Sequence, residues 1–345
     1  MTAVAEIASN PTMIPSSTSP EAAADWKHSL RRAWRDPVAL LASLGLDGMA
    51  ASLDHSNHFP FLVTREFAAR MRAGDPDDPL LRQVLPALAE IDPVPGFVTD
   101  PVGDLASRRN PGMLHKYRGR ILLITTGACP IHCRYCFRRE YDYASDRLDR
   151  SRIEQIRDYI AGDPSIVEVI LSGGDPLMLA DDRLRRITDA LRPIPHLRRL
   201  RIHSRMPVTL PSRIDSGLID WLSGLPWQRV VVIHANHARE FDGEVGDALA
   251  RLRETGAWVF NQAVLLAGIN DHEDALTELM ETGFAHGAAP YYLHLLDRVA
   301  GSAAFEVDDR RAREILASLR RRLPGFLVPR LVREQAGAPC KVPLL

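Results

Sequence analysis

Lysine is nearly absent from this chain: of its 43 Lys and Arg residues only Lys27, Lys116 and Lys341 are lysines. An amine at any one of those places is therefore a specific choice. Cysteine is equally scarce, with four in 345 residues, which excludes a disulfide framework. No apolar run reaches the ~18 residues of a membrane-spanning helix, and the first 20 residues lack the basic flank and continuous apolar stretch of a secretory signal. A cytoplasmic location and no membrane partner are expected. Charge of one sign is missing too: 43 basic against 44 acidic residues leave a net charge of −1, so no overall field favours nucleic acid. What is there is a 46% apolar composition, enough for a sizeable core and too much for a disordered chain.

Residues 1–20, rich in Ser, Thr, Pro and Ala, read as a flexible tail. Residues 21–112 read as a helical N-terminal region and a connector. Helices are expected over 26–35, 38–46, 64–72 and 80–91, followed by an irregular 92–112 with four prolines and three glycines. From 113 to about 300 short apolar runs alternate with amphipathic segments. Strands are expected at 120–126, 167–171, 200–203, 230–234, 258–266 and 291–295. Ser151 and Glu154 suggest a capping box before Ile153, Ile156 and Ile160, and Leu184, Ile187 and Leu191 repeat the helical spacing. Asp271 and Asp308 precede two further helical patterns, and residues 301–345 read as a last helix and strand. Six alternations favour a parallel α/β sheet, open or curled into a full or partial barrel, with chemistry at the carboxyl ends of the strands.

Three of the four cysteines, Cys129, Cys133 and Cys136, follow the first of these strands with C-x3-C-x2-C spacing. Structural zinc usually takes four ligands, and only His132 is near enough in sequence to be a fourth. A [4Fe-4S] cluster on three thiolates instead leaves one iron open to a small chelating molecule. Ser172-Gly173-Gly174-Asp175 follows the second strand, where paired glycines would let backbone amides approach a ligand. Cys340 reads as incidental.

The cysteine loop, with Tyr135 beside its last cysteine, resembles the signature of the radical S-adenosylmethionine (SAM) superfamily. The likeness extends through TDPVGD (99–104), HKYRGR (115–120), CRYCFRRE, LSGGDPL, RIHSRMPV, HANHARE, NQAVLLAGIND and PYYLHLLD. Over residues 92–341 the chain resembles the lysine 2,3-aminomutase family. That resemblance implies a partial (β/α)6 barrel and three cofactors: a [4Fe-4S] cluster on Cys129, Cys133 and Cys136, SAM, and pyridoxal 5′-phosphate (PLP). Lys341 occupies the place of the PLP-bearing lysine, a job that arginine cannot take because its guanidinium stays protonated. Tyr117 and Arg120, with Lys116 adding charge, match positions around the PLP phosphate. Ser172, Gly173, Gly174, Asp175, His234 and Gln262 match the SAM site. Arg138 resembles the clamp for the substrate α-carboxylate, while Asp297 and Glu334 match two acids around the side-chain ammonium, which suits L-lysine rather than glutamate. His203, His237 and Arg205 receive no assignment.

The reaction implied is migration of the lysine amino group from C2 to C3, with a flavodoxin or ferredoxin as electron donor. Two departures from lysine-catabolic members stand out. The chain ends four residues after Lys341, without their zinc-binding extension, and GSAAF replaces GxxHF, placing Ala304 where they have His. The short end and the pair Asp297 and Glu334 resemble the branch that makes (R)-β-lysine for elongation factor P and its lysyl ligase. A homo-oligomer is expected. The alternatives are an aminomutase giving (S)-β-lysine and a noncatalytic iron–sulfur or zinc module.

Overall fold

The computed structural model describes residues 26–56 and 58–344; the expected tail at 1–20 lies outside them. Ten strands form one sheet in chain order: β1 (Arg108–Asn110), β2 (Met113–Tyr117), β3 (Arg120–Thr126), β4 (Glu168–Gly173), β5 (Arg199–Ser204), β6 (Gln228–Ile233), β7 (Trp258–Val264), β8 (Ala289–His294), β9 (Arg330–Arg333) and β10 (Val342–Pro343). From β3 to β9 every neighbouring pair is parallel. Antiparallel pairs flank this set, β1 and β2 at one end and β10 at the other. Each parallel step is made through a helix: α1 (Arg150–Ala161), α2 (Asp181–Leu191), α3 (Ser216–Ser223), α4 (Gly243–Glu254), α5 (Glu273–Ala285) and α6 (Asp309–Arg322). The sheet curls round a central cavity without closing on itself, giving the expected partial barrel with β9 as a seventh parallel strand.

Residue alternation along each strand builds both faces. On β5, Leu200 and Ile202 join the main core beneath the helices while Arg201 and His203 line the cavity. On β8, Leu293 is in the core while Tyr292 and His294 face inward. Leu184, Ile187 and Leu191 of α2 are no more than 1% exposed, each burial stabilising by roughly 1.5–3 kcal/mol.

Three local expectations need correction. The α1 cap is Asp149, whose carboxylate accepts from the Arg152 amide at 2.9 Å; Ser151 lies inside the first turn, so there is no Ser151–Glu154 capping box. Asp271 does precede α5, accepting from the Gly268 amide, and the neighbouring His272 caps the helix. Asp308 does cap α6, taking the amides of Arg310 and Arg311. The N-terminal region is turns and short helices rather than long ones: Trp26–Arg31, Pro37–Ser43, Arg65–Ala68 and Pro79–Arg82. Pro86, lacking an N–H, falls in the middle of the expected 80–91 helix and ends that possibility. The connector, expected to be irregular, contains a helical turn at Asp104–Ser107 and β1.

Candidate active site

The cysteine loop leaves the carboxyl end of β3 and is held from outside by the N-terminal region. The His132 amide donates to Leu62 O and the Arg134 amide to Gln83 O, both at 2.9 Å. The Arg134 guanidinium, wholly buried, donates to Glu90 through Nε (2.8 Å) and Nη2 (2.6 Å) and to Phe59 O through Nη1 (3.0 Å). Arg139 Nη2 reaches the same carboxylate at 3.0 Å. Ile131 packs into the small core around Leu40, Phe67 and Leu81, against which Cys133 also lies. The region is thus a brace for the loop.

Cys129, Cys133 and Cys136 all line one cavity of about 580 Å³. Burial pushes the Cys136 thiol up to about 11 and the Cys129 thiol higher than its ordinary value, with the neighbouring thiols adding to both. Such groups ionise only against a positive partner, which is what iron supplies. Among the described residues no three His, Cys, Asp or Glu side chains converge on one metal-sized point. A cubane does not require that, because each thiolate takes a different iron, so the donor set fits a cluster. His132, which sequence proximity offered as a fourth zinc ligand, pairs its Nδ1 with Pro60 O at 2.9 Å.

The glycine segment packs directly on this loop. A Cβ at Gly173 (φ 125°) would sit 2.4 Å from Thr126 O, and one at Gly174 would sit 2.5 Å from Ala128 O. The expectation that its amides approach a ligand is corrected: Gly174 N–H donates to Thr126 O (2.7 Å) and Asp175 N–H to Ala128 O (2.8 Å). The Asp175 carboxylate, pushed up to about 6 by burial, accepts from Ser204 Oγ and from the amides of Leu177, Arg205 and Met206, and so fixes the β4 and β5 ends together. His234 and Gln262 line the same cavity. His234 donates from Nδ1 to Gln262 O (2.9 Å), leaving Nε2 to accept from Tyr135 OH (2.9 Å), and burial lowers its pKa to about 4.

Across the cavity lie the residues matched to PLP and substrate. Lys341 Nζ pairs with Glu334 Oε2, and Tyr117 OH donates to Glu334 Oε1 at 2.6 Å. The Arg120 guanidinium stands 4.7 Å over the Tyr117 ring. Burial raises Glu334, but Lys341 and Tyr117 outweigh it and hold the carboxyl below its usual range. Asp297 is different: burial carries it up to about 7, opposed by the charge of Lys341 and reinforced by that of Glu334. Arg138 donates from Nε to Asp104 Oδ2 (2.7 Å) and from Nη1 to Ser172 Oγ (3.3 Å). Ser172, Gly173, Gly174, Asp175, Tyr117, Arg120 and all the other candidate residues therefore border one space.

Sequence reasoning gave no role to several residues here. Arg205, buried, donates to Cys133 Sγ (2.6 Å), Tyr135 OH (2.8 Å) and Glu240 (2.9 Å). Asp104 forms an ion pair at 2.6 Å with Lys116, the residue expected to add charge around the PLP phosphate, whose ammonium also stands 3.5 Å from Glu334. Asp104 stands in the quoted TDPVGD motif, which was its only signal; Glu90 had none. His203 lines the cavity with its Nε2 buried and unpartnered, whereas His237 caps a turn by accepting from the Arg239 amide. Cys340 is exposed.

The family model described as the Radical SAM superfamily matches residues 123–280. L-lysine 2,3-aminomutase of Escherichia coli K12 is 43% identical over 323 residues, covering 93% of this chain and 94% of that protein. The Haemophilus influenzae protein of the same name is 40% identical, covering 92% and 94%. That of Clostridium subterminale is 33% identical over 286 residues, covering 82% of this chain and 68% of its own length. A solved radical SAM methyltransferase from Sphaerobacter thermophilus overlaps 64% of the chain and 68% of its own, with a TM-score of 0.45 and 18% identity, too distant for the site to rest on it. Near full-length identity to enzymes of one name, joined to a matching superfamily domain, means that the chain belongs to the L-lysine 2,3-aminomutase family of radical SAM isomerases, which work with a [4Fe-4S] cluster and SAM.

Proposed function

We propose that the protein converts L-lysine to (R)-β-lysine with PLP carried on Lys341, and that the product serves the β-lysylation of elongation factor P by its ligase. The observation carrying this reading is the sharing of one cavity by three cysteines, a glycine cradle, a basic clamp, two acids and Lys341. In it, Cys129, Cys133 and Cys136 hold the cluster, while Ser172, Gly173, Gly174, His234 and Gln262 form the SAM side, with Asp175 holding that side together. Cluster and SAM supply a hydrogen-abstracting radical. PLP, bordered by Tyr117 and Arg120, supplies a conjugated system that delocalises an unpaired electron.

The chain's own residues do the rest. Arg138 receives the substrate carboxylate. Glu334 and Asp297 would face the side-chain ammonium of the substrate. An acidic substrate would meet both carboxylates and be repelled. The apolar wall and the brace around the cysteine loop keep water from reactive species. An external one-electron donor of the flavodoxin or ferredoxin kind completes the system. The sequence likeness to the elongation factor P branch supports the (R) product.

The experiment is anaerobic incubation of reconstituted enzyme with L-lysine, SAM and a reductant, read by chiral chromatography. (R)-β-lysine supports the proposal, (S)-β-lysine transfers the protein to the alternative branch, and absence of either sinks both. Borohydride should trap PLP on Lys341; a label found elsewhere, or a fully active Lys341→Ala variant, removes that residue's role.

A further inference from the structure

Arg138 is not free to swing. Its Nε is docked on Asp104 Oδ2 at 2.7 Å and its Nη1 on Ser172 Oγ at 3.3 Å. Asp104 is 1% exposed, and its other oxygen lies 2.6 Å from Lys116 Nζ. That ammonium also donates to Val102 O at 2.8 Å and stands 3.5 Å from Glu334 Oε1. Glu334 in turn holds Lys341. Five charges of alternating sign, Arg138, Asp104, Lys116, Glu334 and Lys341, thus run along the cavity wall.

We propose that Asp104 is the positioning residue for the carboxylate-binding end and that, through Lys116, it couples that end to the ammonium-binding end at Glu334. This rests on the reading of Arg138 and Glu334 given above. A lone arginine on a cavity wall samples many rotamers and loses that freedom on binding. Fixed by a carboxylate at Nε and a hydroxyl at Nη1, the guanidinium is oriented before the ligand arrives. Burial opposes ionisation of Asp104, yet Arg138 and Lys116 hold it below the usual carboxylate range, so the docking charge is present at neutral pH. The ligand class follows: an α-amino acid with a cation at the far end of its side chain, whose two ends are read together. Removing one charge leaves its neighbours poorly compensated along a largely buried wall, which is how a change at one end reaches the other.

The test uses the reconstituted holoenzyme without reductant, so that no turnover occurs, titrated while the absorbance of bound PLP is followed. Three ligands separate the ends: L-lysine, L-2-aminohexanoate, which lacks the distal amine, and 1,5-diaminopentane, which lacks the carboxylate. Asp104→Asn should weaken L-lysine and L-2-aminohexanoate by about ten-fold or more and 1,5-diaminopentane by clearly less, and Asp104→Glu should recover part of the loss. Equal losses for all three ligands, or no loss, overturn the proposal. Should Asp104→Asn fail to retain iron, Lys116→Gln addresses the same link. L-lysine must then lose more affinity than either single-ended ligand, and equal losses overturn the coupling. Arg138→Gln checks the underlying assignment separately. If it spares the carboxylate preference, the function given to Arg138 fails; if it abolishes the preference while Asp104→Asn does not, only the role of Asp104 fails.

Discussion

The protonation of Asp297 adds or removes one of the two negative charges proposed to meet the substrate ammonium. Its carboxyl, carried up to about 7 by burial, is neutral below that value and charged above it. L-lysine affinity should therefore strengthen between about pH 6 and pH 8, and Asp297→Asn should flatten that part of the profile. Stability runs the opposite way. The unfolded carboxyl releases its proton at lower pH than the folded one, so this group's contribution falls as pH rises from its ordinary range to about 7. Titrations of the variant and parent across this range measure both effects; an unchanged profile would remove Asp297 from ammonium recognition. Cys129, Cys133, Cys136 and Lys341 stood out as candidates in the sequence because few side chains can do the chemistry proposed for each. Asp104 did not, because an aspartate in a Pro- and Gly-rich connector reads equally as a turn residue, and only the fold brings Arg138 to it.

Among the elements, the six inner strands were legible because parallel strands covered by helices must be apolar, and β3 falls on 120–126 as expected. The N-terminal helices were not. Their apolar spacing is real, but Leu80 and Leu81 are buried by a four-residue helix and the turns after it, not by a long one. β1, β2 and β10 were missed because two to five residues give too little alternation to recognise. The importance of this region lies in Glu90, whose side chain is 5% exposed and faces the buried guanidiniums of Arg134 and Arg139. Glu90→Gln should destabilise the protein by about 3–5 kcal/mol, since it leaves the wholly buried Arg134 uncompensated and takes the nearer of two carboxylates from Arg139, and should loosen the cysteine loop. Thermal unfolding and iron content after reconstitution read both effects. A variant with unaltered stability and iron would show that the brace is not electrostatic.

Over the whole molecule, the cavity joins segments more than 200 residues apart, with Cys129 at one side and Lys341 at the other. Ligands that fill it should protect both sides together. Hydrogen exchange with SAM and L-lysine added to the reconstituted protein should slow in the cysteine loop and in residues 330–344; protection confined to the loop would argue against a shared site. One feature of the sheet bears on how Lys341, the amine proposed to carry PLP, moves. Glu334 follows β9 immediately and Lys341 precedes β10 immediately, and the two strands are joined by only two residue pairs, Val342 with Arg333 and Pro343 with Val332. Acid and amine thus ride on opposite arms of one minimal hairpin at the sheet's margin. Opening it breaks those two pairs and the bond from the Leu344 amide to Leu331 O and lifts Leu344 from the core, so the proposed exchange of the tethering amine for an incoming one is an event at the sheet's margin and not a rearrangement of the barrel.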